Sequence, residues 1–305
     1  MNIREVTAEE YRRLFPQPQI VYNSVEFTEL NAHKADRVIR VTAESDDGYP
    51  ALGLTVGEIA GRFVAPFSAP FACFDFNREH RAQTMLDAAA AISSRFPGLT
   101  LTLPPALYGE SMIAKTQMAF LTAGARQLYL DWNYHIDLTR DYESLLTSPN
   151  RKKLRHAERE GFRLEPSDPM RAYEIIRRNR ESKGYPLRMS AELVLATVRP
   201  QGPVEADFFV LTDGNRDAAA AMVYHVRPGI GQVIYWGDVP QAPCRNAMNL
   251  LAAELSKHYA ARGMRILDIG PSGTEGHPSA GLSDFKDTIG STCTPKPVIR
   301  LATNS

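Results

Sequence analysis

Apolar and polar residues alternate from Arg37 to Glu44, Asp46, Asp47 and Gly48 supply turn chemistry, and β-rich runs follow at Ala51 to Ile59 and Arg62 to Phe76. This pattern predicts an antiparallel meander. The period then lengthens, because Met85, Leu86, Ala89, Ile92 and Phe96 share one helical face, with Asn77 as the expected N-cap and Pro97 and Gly98 as the stop. A strand in LTLTLP, a helix capped by Ser111 and running to about Gly124, and an aromatic strand from Gln127 to Leu138 complete the first half.

The second half repeats this order. Ser148 and Pro149 open a helix that Gly161 ends, Asp168 and Pro169 open another that Gly184 and Pro186 end, and a short third follows Ser190. Strands at Asp207 to Thr212, Ala218 to Arg227 and Gln232 to Val239 form a second meander around the turns DGN and PGIG. Met248, Leu251, Ala252, Leu255 and Tyr259 then line the face of a long helix closed by Gly263, and RILDIG is a strand leading into a loop. Nearly the same spacing separates Phe67 from Leu103 as separates Tyr235 from Ile269. Repeated order and spacing predict one α/β plan used twice, in domains 1–137 and 138–305.

The chain of 305 residues is 44% hydrophobic and 23% charged, as globular proteins are. Its 35 basic and 35 acidic residues cancel, so no global field draws it to DNA or to an anionic membrane. Cys73, Cys244 and Cys293 are too few and too scattered for a disulfide framework or a CxxC motif, which fits a reducing cytoplasm. No apolar run reaches the roughly 18 residues of a membrane span, and no signal peptide is read. The seven histidines form no metal-binding spacing, no Walker or GxGxxG sequence follows a strand, and Thr274 stands where a serine nucleophile elbow around Ser272 needs glycine.

Three stretches carry candidate chemistry. In the helix RKKLRHAERE, Arg151, Arg155 and Arg159 form a cationic stripe suited either to solvent or to phosphate near a helix N-terminus. Tyr235, Trp236 and Asp238 end a strand that runs through PQAPC to a helix start, where anions bind readily and a carboxylate caps or acts as a base. Asp268 in DIGPSG and Lys286 in GLSDFKDTIG are an expected pair around one cleft, structural or catalytic.

PFSAPFACFDF, NRKKLRHAEREGF, YWGD before a long helix, and DIGPSG with GLSDFK together resemble the GNAT superfamily, in its tandem-domain FemAB-like branch of peptidoglycan aminoacyltransferases. The resemblance spans most of the chain. It implies an α/β (α+β) fold of two tandem GNAT-like domains, each a mixed, mostly antiparallel sheet flanked by helices. It also implies acyl transfer from acyl-CoA or aminoacyl-tRNA to a small-molecule or peptide amine, with tRNA a partner in the second case and no metal. Where coenzyme A-binding members carry Q/RxxGxG/A, this chain has Gln241, Cys244 and Asn246.

The resemblance carries phosphate contacts to Arg151 and Arg155 and its Phe-Lys motif to Phe285 and Lys286; together with the stretches above, the expected roles are catalytic for Asp238, Asp268 and Lys286, donor-binding for Tyr235, Trp236, Cys244, Arg245 and Asn246, and substrate-binding for Arg151, Arg155, Ser272 and Phe285. Lys286 or backbone N–H groups would hold the oxyanion, and the first domain would support the acceptor side. The alternative is a non-catalytic tandem GNAT-like module that binds a nucleotide-sugar or a protein partner.

Overall fold

A computed structural model describes residues 1–303. The chain forms two compact units, one of residues 1–132, 274–277 and 294–303, the other of residues 133–273 and 278–293. The boundary expected at Asp137 falls at the end of a strand, Arg126–Asp137, whose first part lies in unit 1 and whose last part lies in unit 2. The chain's C-terminal segment, expected with the second half, belongs to unit 1.

Unit 1 begins with β1 (Asn2–Glu5), α1 (Ala8–Leu14) and α2 (Val25–Leu30). The meander β2 (Arg37–Glu44), β3 (Pro50–Ile59) and β4 (Arg62–Ala65) follows, then α3 (Ala82–Arg95), β5 (Thr100–Thr102), α4 (Glu110–Thr122) and β6 (Arg126–Asp137). The strand expected to reach Phe76 stops at Ala65, because Pro66 and Pro70 have no N–H for a ladder; only an isolated bridge between Gly53 and Asp75 resumes it. Asn77 does not cap α3 but donates to Leu14 O, and Ser111 lies inside α4 rather than at its cap.

Unit 2 contains α5 (Ser148–Glu158), β7 (Arg163–Pro166), α6 (Pro169–Ser182), α7 (Ala191–Thr197), β8 (Ala206–Thr212), β9 (Asp217–Arg227), β10 (Ile230–Asp238), α8 (Ala247–Ala261) and β11 (Ile266–Pro271). After the short strands β12 (Gly273–Thr274) and β13 (His277–Pro278) come α9 (Ala280–Thr288) and β14 (Thr292–Arg300).

The repeated plan is visible in the pairing. In each unit three antiparallel strands lead through a helix to a fourth strand parallel to the third: β2, β3, β4, α3 and β5 in one, β8, β9, β10, α8 and β11 in the other. The strands that follow the next helix are exchanged. β14 pairs antiparallel with β5, and the end of β6 pairs antiparallel with β11.

Each unit has its own core. Leu52, Leu54, Val56, Met85, Ile92, Phe96 and Phe120 fill unit 1. In unit 2, Leu250, Leu251, Leu255 and Tyr259 of α8 pack on β9, where Ala218, Ala219, Ala220 and Ala221 are fully buried. A run of four alanines leaves both faces of that strand open to close helix packing.

Candidate functional site

Unit 2 is organised around two strands that pair briefly and then stop. β10 and β11 run parallel, but their ladder covers only Ile230, Gly231 and Gln232 against Ile266, Leu267 and Asp268, whereas β10 continues to Asp238 and β11 to Pro271. Past Gln232, β10 stays paired with β9 on its other side. Between Val233 and Tyr235 it carries one more residue than β9 does, a bulge of the kind that re-aims side chains. A register shift between Asp268 and Pro271 likewise interrupts the pairing of β11 with β6, which resumes where Pro271 meets Asn133.

Asp268 stands where the ladder ends. It is fully buried, and its carboxylate accepts from Gln232 Nε2 (2.9 Å) on β10, Asn133 Nδ2 (2.8 Å) on β6 and the Gly270 N–H (2.9 Å). Three donors hold this carboxylate at the branch point of three strands.

Lys286 serves the same segment from α9. Its ammonium donates to the carbonyls of Ile269 (3.0 Å), Gly270 (2.7 Å) and Pro271 (2.9 Å), where β11 has left the β10 ladder. It also lies 5.3 Å from the centroid of the Tyr134 ring. Asp268 and Lys286 therefore do converge, both bonding to Gly270. The oxyanion role expected of Lys286 is corrected, however: at 2% exposure, its three ammonium hydrogens are used by backbone carbonyls. Ser272 is likewise fully buried, with its hydroxyl 2.7 Å from Ser283 Oγ, so it offers a substrate no contact in this arrangement.

Asp238 differs, because its side chain keeps 34% exposure at the outer end of β10. Oδ1 accepts from Asn179 Nδ2 (2.8 Å) of α6 and from Lys183 Nζ (3.1 Å) at that helix's C-cap, and Asn179 also donates to the Asp238 carbonyl (2.7 Å). Gly237 makes this approach possible, since a Cβ there would lie 2.4 Å from Asn179 Cγ.

The aromatic pair divides. Tyr235 lies under Arg180 at 5.2 Å, and burial raises its phenol pKa. Trp236 instead meets Phe285, ring centroids 6.2 Å apart. Adjacent strand residues point to opposite faces, so the two aromatics expected to bind one donor do not share a face.

The loop before α8 has two left-handed residues, Gln241 and Asn246, and Asn246 gives the helix no side-chain cap. Cys244 is buried, which pushes its thiol up to about 11, with the Glu160 carboxylate adding to the shift. Glu160 Oε2 also accepts the Arg245 N–H at 2.9 Å. A carboxylate of the chain itself thus occupies a backbone donor that the sequence assigned to donor phosphate.

The basic helix also changes character. Arg151 reaches back to the carbonyls of Glu143 (3.1 Å) and Leu146 (2.6 Å) and to Ser148 Oγ (3.3 Å), which corrects the expectation that it awaits phosphate. Arg155 is exposed, but it sits in the last turn of α5, away from the free N–H groups of the helix start.

The sequence reading missed Asn133, Gln232, Asn179 and Glu160. Glycine within a strand, in YWGD, signals a close neighbour at Gly237 but not its identity. Among the described residues no cluster of His, Cys, Asp or Glu could hold a metal ion, the three cysteines are free, and no helix is long and apolar enough to cross a membrane.

No protein-family model matches the sequence, and no curated protein matches it. Solved structures do. FemX superposes with a TM-score of 0.66 at 12% identity, over 100% of this chain and 98% of its own. The C-terminal domain of a protein assigned as a lysylphosphatidylglycerol synthetase, from Agrobacterium fabrum, gives 0.60 at 13% identity over 98% and 93%. A tandem GNAT protein from the clavulanic acid biosynthesis pathway gives 0.52 at 12% identity over 100% and 99%. This chain has their fold. It is a mixed α/β fold with mostly antiparallel strands flanked by helices, and at these identities the likeness is one of fold.

Proposed function

We propose that the protein is an N-acyltransferase whose unit 2 receives the acyl-bearing arm of the donor where β10 and β11 part. One observation carries this reading: the parallel ladder ends at Gln232 and Asp268 while both strands continue. An extended chain carrying amide or ester groups can bond to the backbone of β10 beyond that point, as an added strand would. The amine acceptor attacks the donor carbonyl, backbone N–H groups of β10 hold the oxyanion, Asp238 takes the amine proton directly or through water, and the thiolate or alkoxide leaves. Asp268 and Lys286 are positioning residues that fix the branch point.

The fold shared with FemX, with a tandem GNAT protein and with a domain assigned to lysylphosphatidylglycerol synthesis supports transfer of acyl or aminoacyl groups. Acyl-CoA and aminoacyl-tRNA are the two donor classes, and a small molecule or peptide supplies the amine. The bond from Arg245 N to Glu160 weighs against seating a coenzyme A pyrophosphate on that loop. It favours either the aminoacyl ester donor or the second reading, a non-catalytic module for a nucleotide-sugar or a protein partner.

Incubation with acetyl-CoA, longer acyl-CoA or mixed aminoacyl-tRNA and an amine panel, followed by mass spectrometry, tests the proposal. Donor-dependent amide formation is expected, falling by about 100-fold in Asp238→Asn. Donor binding without transfer would support the non-catalytic module instead.

A further inference from the structure

The first part of β6, in unit 1, treats its two faces differently. Arg126, Leu128, Leu130 and Trp132 alternate along the strand and so share a face, where Leu128, Leu130 and Trp132 keep 40%, 37% and 48% exposure. On the opposite face Asp131 is buried, paired with Lys296 (3.1 Å) and accepting the Gly276 N–H (3.0 Å). Gly276 also lies against Tyr129 on that side, since a Cβ there would come within 2.8 Å of Tyr129 Cβ. Single exposed apolar residues are ordinary, but three large ones in an unbroken row mark a surface that binds something. No residue of the acyl-transfer reading lies on it.

The row has one charged end. Arg126 is exposed and makes no hydrogen bond or ion pair among the described residues, so its guanidinium is available to an anion, and its planar fork suits a carboxylate.

The chemistry of the row selects the occupant. Leu128 and Leu130 carry no hydrogen-bonding atom and Trp132 only one N–H, so a peptide laid along it would leave most of its amide groups against apolar side chains. A second copy of the chain needs roughly 800 Å² on each partner, which three side chains exposed over less than half their surface do not offer. A hydrocarbon chain needs no hydrogen bond and gains by leaving water. The length agrees as well: Leu128 to Trp132 spans about 13 Å and the step back to Arg126 adds about 7 Å. An acyl chain of the membrane-lipid kind fills half of a hydrocarbon core of about 30 Å, a similar reach.

We propose that this face of β6 binds a free long-chain carboxylate, with its alkyl chain along Leu128, Leu130 and Trp132 and its carboxylate on the Arg126 guanidinium. The site is independent of the acyl-transfer reading and stands if that reading fails.

Titration of the full chain with palmitate below its micelle concentration tests it, with octanoate as the short acid, hexadecyltrimethylammonium as the cationic counterpart and phosphatidylglycerol vesicles as the bilayer form. Palmitate should saturate and shift tryptophan emission to the blue, octanoate and the cation should bind about tenfold more weakly or worse, and the vesicles should not capture the protein. Leu130→Ser and Arg126→Gln, both at exposed positions, should each weaken palmitate by about tenfold. Trp132→Phe should retain binding and lose the spectral shift, because Trp236 is the only other tryptophan of the chain. Should one variant fail to fold, the other two and the chain-length comparison decide. Absence of saturation, equal binding of octanoate or of the cation, unchanged affinity in folded Leu130→Ser or Arg126→Gln, or a shift that survives in Trp132→Phe would overturn the proposal. Capture by the vesicles, or self-association that Leu130→Ser abolishes, would overturn it too, by giving the row to a bilayer or to a second copy.

Discussion

Gly237 shows how much a single position constrains. Its missing side chain lets Asn179 bond to both the carbonyl and the carboxylate of Asp238, with a virtual Cβ only 2.4 Å from Asn179 Cγ. Gly237→Ala should therefore cost about 1–3 kcal/mol through overpacking. In urea denaturation, Asn179→Ala in the same chain should recover part of that loss; independent, additive effects would show that the two residues do not meet.

Asp75 makes a second residue-scale case, in unit 1. It is fully buried, accepts from Tyr11 Oη (2.8 Å), Gln19 N (2.8 Å) and Asn23 Nδ2 (3.0 Å), and burial raises its pKa from 3.8 to about 6. Because the folded value lies above the unfolded one, the native state retains a proton that the unfolded chain has lost between those limits. This contribution to stability is therefore full below the lower value and falls as pH rises toward the upper one, by about 3 kcal/mol in all. In Asp75→Asn the amide oxygen can keep both N–H donors and its nitrogen can donate to Tyr11, so the pH slope over that window should flatten. An unaltered slope in urea melts would place its source elsewhere.

At the scale of elements, α9 holds the end of β11 through Lys286. Lys286→Met keeps the aliphatic bulk but leaves three carbonyls without their ammonium, and should lower stability by about 3 kcal/mol or more. A variant that loses transfer activity at unchanged stability would instead return Lys286 to the chemistry.

Elements were also what the sequence showed best. The face of α8, the Asp168–Pro169 start of α6 and both meanders follow from local periodicity and punctuation, which act over a few residues. What failed was long-range. Nothing near Lys286 announces three backbone carbonyls as its partners, and nothing near Arg151 says that it will turn back onto Leu146. The pairing of Val298 with Thr102 joins residues far apart in sequence, so β14 could not be assigned to unit 1 from local pattern. Pro66 and Pro70 were local signals that an apolar run concealed.

For the whole molecule, one plan appears in both units, but the polar groups that fix a strand parting, Gln232, Asn133, Asp268 and Lys286, lie in unit 2. This asymmetry supports the proposal that the donor is held by unit 2, with unit 1 as the proposed support on the acceptor side. A structure determined with an unreactive acyl-donor analogue measures this most directly. The account predicts the analogue's acyl arm alongside residues 233–238 of β10 and 269–271 of β11; an analogue seated solely in unit 1, with those strand ends empty, would contradict it.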